Sequence, residues 1–218
     1  MELPQPDPKI TLSALTYTFV PFSILTALAI FLAESRQDIV LGRAIYTIWE
    51  TYLLATPALC LYILGLQQSK RYTYWLLFWT FAGLAYAMHV YWTFFGIFDG
   101  QIEKMFTKQG LAIAGTNVVI TLWWMIDLAL AWLINSNQGW IRVQRTGIQS
   151  LFFLAAVFVG VFRKQGVITW LSIAMSVAVV TCAIIRIRSL LKKHSQTSMT
   201  SGQDGFEGLE TPETLTQP

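Results

Sequence analysis

Residues 72–98 read YTYWLLFWTFAGLAYAMHVYWTFFGIF, 27 residues without a single Asp, Glu, Lys or Arg. A helix that crosses a membrane needs about 20 predominantly apolar residues. A barrel strand would alternate apolar and polar positions over about 10 residues, and this stretch does not alternate. It reads as a transmembrane helix with one side chain, His89, that titrates near neutral pH.

Working outward, apolar runs of similar length recur at 11–33 and 44–66 before it, and at 111–135, 146–162 and 166–188 after it. The run at 146–162 sits at the lower limit for a span. It can begin earlier, at Trp140, if Arg142 and Arg145 extend their charged ends to the interface. The predicted fold class is therefore all-α, a polytopic transmembrane helical bundle of six spans over residues 11–191. A short N-terminal segment, 1–10, precedes it, and a disordered cytoplasmic tail, 192–218, follows. The tail prediction rests on its content of Ser, Thr, Gly and Gln with one aromatic, Phe206, too little apolar area to offset the entropy of ordering.

Composition agrees. Of 218 residues, 55% are hydrophobic and 12% charged, against about 25% charged in a soluble domain. The lipid bilayer is the first partner this implies. A net charge of +3 without a basic stripe gives no footprint for nucleic acid. The loops leave no room for a soluble domain of 50 residues or more, so any function is expected in the bilayer, at its surface, or through a membrane-protein partner.

With six spans both termini share a side. That side carries nine Lys and Arg near span ends against six on the other, which predicts both termini in the cytoplasm. The start MELPQPDPK makes a poor signal-peptide n-region, so the first span is expected to stay. Cys60 and Cys182 lie inside spans without a CxxC pattern and read as small packing residues. Loop 99–110 spaces Ile102, Met105 and Phe106 as a short interfacial helix. Trp49, Trp75, Trp92, Trp132, Trp140 and Trp170 fall near span ends and read as interfacial anchors. Trp79, Trp123 and Trp124 read as packing. Small residues at Gly83/Ala87, Ala156/Gly160 and Ala174/Ala178 suit close helix packing.

Ionisable side chains inside spans are costly and mark candidate sites. Glu50, His89 and Asp127 qualify. At 1.5 Å rise per residue, Glu50 lies about 9 Å below the outer end of its span, His89 about 14 Å, and Asn117 about 9 Å. Asp127 lies about 24 Å down. Glu50, His89 and Asn117 therefore form one candidate cluster for a ligand or proton, with Glu50 and His89 expected to meet across a short hairpin. Asp127 stands apart, as one half of a structural ion pair or second polar site, with Arg186 as the preferred partner and Arg142 or Arg145 as alternatives. Pro57 removes a backbone hydrogen bond in the second span, and Thr56 is placed to help satisfy the freed carbonyl.

Much chemistry finds no residues. Haem held by two imidazoles needs two intramembrane histidines, and the second of the two present, His194, lies in the tail. Zinc needs three or four suitable ligands at one level. Nucleophile-elbow, zincin, P-loop and dinucleotide motifs are missing. No cofactor is implied. Three readings remain: a protein that binds or transports a small polar ligand, ion or proton at Glu50, His89 and Asn117; an accessory or assembly subunit of a larger membrane complex; and a lipid-modifying enzyme, for which no nucleophile or metal is found. The first is favoured, because three ionisable groups in one small bundle exceed what packing requires.

Overall fold

A computed structural model describes residues 7–134, 138–163 and 166–203, with backbone alone for 162–163 and 193–203. The helices are α1 (Leu12–Glu34), α2 (Ile39–Leu64), α3 (Ser69–Tyr91), α4 (Ile102–Gln109), α5 (Leu111–Leu133), α6 (Gly139–Val157) and α7 (Val167–Gln203). Wider π-helical turns extend α3 over Trp92–Ile97 and α6 over Phe158–Arg163. No strand occurs among the described residues. Five helical segments are long and apolar enough to cross a membrane, and a sixth is counted when α3 and α4, bent by 97° at their junction, are taken as one broken span.

Local chemistry sets the helix ends. Thr11 accepts the Ala14 N–H to start α1 (3.2 Å), and Asp38 accepts the Leu41 N–H to start α2 (2.9 Å); both relieve donors that have no partner in the first turn. At the far end of α2, Gly65 adopts φ +95°, a region open chiefly to glycine. Arg71 Nη1 donates to the carbonyls of Leu64 and Gly65, each at 2.9 Å, and Arg186 Nη1 reaches Leu64 at 3.3 Å. Two cations thus cap the negative end of the α2 dipole. Pro57 lies inside α2, and the Thr56 hydroxyl donates to Tyr52 (2.7 Å). The carbonyl that Pro57 leaves free is that of Leu53, so Thr56 serves its neighbour instead.

The core centres on α3. Trp75, Trp79, Leu76, Ala82 and Ala85 are fully enclosed, and they pack with Leu54 and Ala55 of α2, Trp124 of α5 and Ile148 of α6. A Cβ on Gly83 would lie 2.8 Å from Leu128 and 3.1 Å from Trp124, so α3 and α5 approach as closely as they do because that residue is glycine. Gly160 likewise faces Ser172 of α7. Both small-residue positions serve packing within the chain. The thiols of Cys60 and Cys182 come together between α2 and α7, half-buried and free.

Outward faces are the reverse of a water-soluble surface. Phe31, Met125, Leu154 and Val177 are among many large apolar side chains left exposed. An exterior with so many large apolar side chains exposed marks contact with a partner or a membrane.

Three sequence expectations change. Trp75 is 0% exposed rather than an interfacial anchor. Arg145 is 5% exposed and turned into the bundle, so α6 begins at Gly139 without that side chain reaching outward. And α7 continues to Gln203, which makes 192–203 helical instead of disordered. With no Pro and no Gly before Gly202, an existing helix extends by adding one hydrogen bond for each residue it fixes. The rest of the predicted tail, 204–218, lies outside the described residues.

Candidate functional site

Beside the π-helical turn that follows α3 lies a cavity of about 300 Å³, walled by α3, α4 and α5. Its lining takes in Val90, Phe94, Met105, Phe106 and Leu122 with Tyr86, His89, Thr93, Gln109, Asn117 and Thr121, and the surface they present is almost wholly apolar. Three of its residues, Ile102, Val118 and Leu122, are also exposed on the outside of the molecule and mark its mouth. The wide turn at Trp92–Ile97 and the bend into α4 make the space, since a straight α3 would carry its side chains past α5. Wide turns of this type recur at functional sites.

Two of the three members of the candidate cluster, His89 and Asn117, therefore line one cavity. His89 Nδ1 lies 2.7 Å from the Ala44 carbonyl oxygen. Asn117 Nδ2 donates to Gln109 Oε1 at 3.3 Å, and its backbone carbonyl accepts from Thr121 (2.7 Å) and Tyr86 (3.4 Å).

Glu50 belongs elsewhere. It is 2% exposed, and its Oε1 accepts from the Thr26 hydroxyl of α1 at 2.5 Å, while Oε2 has no hydrogen-bond partner. No hydrogen bond joins it to His89. The carbonyl that His89 holds is six residues away along α2, about 9 Å of helix rise. The reason is the register of the hairpin: Ala44 stands twenty residues before Leu64, and His89 stands twenty residues after Ser69. Counting from 67 and 71 centres the turn at 69 rather than 66.5, and in an antiparallel pair that offset doubles to five of the six residues.

Asp127 lies fully buried on α5. Its Oδ1 accepts from Gln144 Nε2 at 2.7 Å and from Arg145 Nε at 3.3 Å, and its Oδ2 accepts from Trp79 Nε1 at 2.9 Å. The ion-pair partner is thus Arg145 and not Arg186, whose guanidinium is held at the end of α2. Arg145 also sits over the Trp75 ring, 4.6 Å from its centroid. Gln144 and Trp79 escaped the sequence reading because neither is charged. The hairpin would have given Arg145: Asp127 is six residues before Leu133, and Arg145 six after Gly139.

An aromatic column joins the two regions. Tyr86, at the cavity wall, stacks on Trp124 (5.3 Å between centroids), and Trp124 stacks on Trp79 (4.2 Å), which holds Asp127. Among the described residues no group of three or more His, Cys, Asp or Glu is placed to hold a metal ion. Comparison with protein families, curated proteins and solved structures gave no match to this chain.

Proposed function

We propose that this chain is a multi-pass integral membrane protein of six spans, with both termini cytoplasmic, that binds a small amphipathic molecule in the cavity at His89 and Asn117. The observation that carries the reading is the composition of that cavity: an almost wholly apolar wall with the His89 ring among its lining, in keeping with small-molecule sites, which are lined mostly by apolar side chains and fixed by few polar groups. The exposed apolar exterior supports placement in a bilayer, and the mouth at Ile102, Val118 and Leu122 then faces lipid. A ligand enters sideways from the bilayer, with its apolar body against Phe94, Met105, Phe106 and Leu122.

The cavity changes the ligand class foreseen from the sequence. A strongly polar molecule or an ion would lose its hydration against so apolar a wall, and no Lys, Arg, Asp or Glu lines it. Glu50, the acidic member of the cluster, faces α1 instead. Binding, rather than catalysis, is the favoured activity.

The test is extraction of purified protein and identification of bound molecules by mass spectrometry, for the native chain and for Val118→Trp, which obstructs the mouth. A stoichiometric amphiphile present in the first and lost in the second supports the reading. A well-folded native protein that carries no such molecule, and takes up none from added lipid extract, contradicts it.

A further inference from the structure

We propose that the ligand's polar head is an uncharged hydroxyl group, recognised by the free ring nitrogen of His89, so that the cavity selects lipid alcohols. The proposal rests on the binding reading above and narrows it to a chemical class.

The tautomer of His89 carries the assignment. A carbonyl oxygen only accepts, so the 2.7 Å contact with Ala44 requires the hydrogen on Nδ1. In the neutral ring Nε2 is then a lone-pair acceptor. It has no hydrogen-bond partner among the described residues, and the ring lines the cavity. Of the neighbouring donors, the hydroxyls of Tyr86 and Thr121 are engaged, both pointing to the carbonyl of Asn117, and Nε2 accepts from no donor among the described residues.

Thr93 follows His89 by four residues and lines the same cavity, but its hydroxyl oxygen is enclosed by protein. The unmet acceptor is therefore Nε2, and a ligand hydroxyl donating to it supplies what the ring lacks.

Other head groups fit less well. A ketone, quinone or ether has only acceptors and would set a lone pair against that of Nε2. Phosphate and carboxylate heads find no cation in the wall and would be desolvated without compensation. The volume, equal to roughly ten waters at about 30 Å³ each, takes a compact alcohol or the hydroxyl end of a longer chain whose tail leaves through the mouth.

The experiment measures equilibrium binding of radiolabelled farnesol to the full chain in phosphatidylcholine nanodiscs, with unlabelled farnesol and farnesyl methyl ether as competitors. The ether keeps the body and removes the donor. We expect farnesol to compete at least about tenfold better than the ether, in line with sites built around a substrate hydroxyl. In His89→Phe that preference shrinks toward one while the ether's own competition is retained. Equal competition by both probes, blocked by Val118→Trp, would overturn the hydroxyl assignment and leave the amphiphile site standing. Absence of saturable binding by either probe would overturn both.

Discussion

The carboxylate of Asp127 and the guanidinium of Arg145 lie 3.3 Å apart, on consecutive helices, with side chains 0% and 6% exposed. Neither charge reaches water, and each is embedded in further partners, Trp79 and Gln144 on the acid, the Trp75 ring beneath the base. Removing one member of such a pair leaves the other buried without compensation, a loss of about 3–5 kcal/mol. Asp127→Asn and Arg145→Met should each lower the melting temperature in detergent strongly, while the double variant recovers much of the loss. Arg186→Ala, which touches a different group, should add independently. A double variant whose loss equals the sum of the Asp127 and Arg145 losses would contradict the pairing.

Trp79 should behave as a polar residue as well as a packing one. Trp79→Phe keeps a ring against Trp124 but removes the N–H held by Asp127. A hydrogen bond to a charged group contributes about 1.5–3 kcal/mol, and part of the packing goes with it. Trp132→Phe is the control. Its ring N–H donates to Thr80 at the surface (3.0 Å), and surface changes are usually worth about 0.5 kcal/mol or less. Chemical unfolding in a fixed detergent compares the two, and equal losses would refute the role given to Trp79.

Glu50 tests a different point. Its carboxylate has one partner, Thr26, and one orphaned oxygen, so it is poorly suited to stabilising the fold. Glu50→Gln retains an acceptor for Thr26 and removes the ionisable group. The melting temperature should not fall. Thr26→Val strips that hydrogen bond and should cost about 1–3 kcal/mol, the penalty of a buried group left without a partner. A steep loss in Glu50→Gln would show that the ionisable group itself supports the structure.

Run length made the helices legible, because about 20 apolar residues leave few alternatives. The short helix α4 was legible too, from the spacing of Ile102, Met105 and Phe106. What escaped was whatever depended on register and neighbours. Arg145 looked like a loop cation because it stands near a span end, yet the α5–α6 hairpin sets it level with Asp127. Glu50 and His89 looked paired because the turn is centred 2.5 residues earlier than the loop 67–71 suggests. The cavity had no sequence signal beyond His89 and Asn117, since it arises from a wide turn and a bend that the run of aromatic residues at 91–98 does not announce.

Outside the spans, Asp99 gives a prediction for pH. It takes φ +54°, a conformation Asp tolerates better than most residues, and Lys104 pairs with it. The Lys104 hydrogen bond, reinforced by the charge of Lys104, holds the Asp99 carboxyl below its usual 3.8. A carboxyl lowered in the folded state contributes its stability above the unfolded value and loses it as pH falls through the folded one. The exposed pair is weak and screened by salt, so Asp99→Asn should leave melting at pH 7 almost unchanged. An NMR titration of the Asp99 carboxyl should give a midpoint below 3.8 that returns upward in Lys104→Ala. A midpoint unmoved by that substitution would contradict the pairing.

The central claim, that the His89–Asn117 cavity holds an amphiphile drawn from the bilayer, is tested most directly by photolabelling. A long-chain alcohol bearing a diazirine in its apolar chain is added to the protein in lipid nanodiscs, and adducts are mapped by mass spectrometry. The account predicts saturable labelling concentrated on Phe94, Met105, Phe106 and Leu122, and its loss in Val118→Trp. Labelling spread over the outer faces of α1 and α7, non-saturable and unchanged by Val118→Trp, would contradict it.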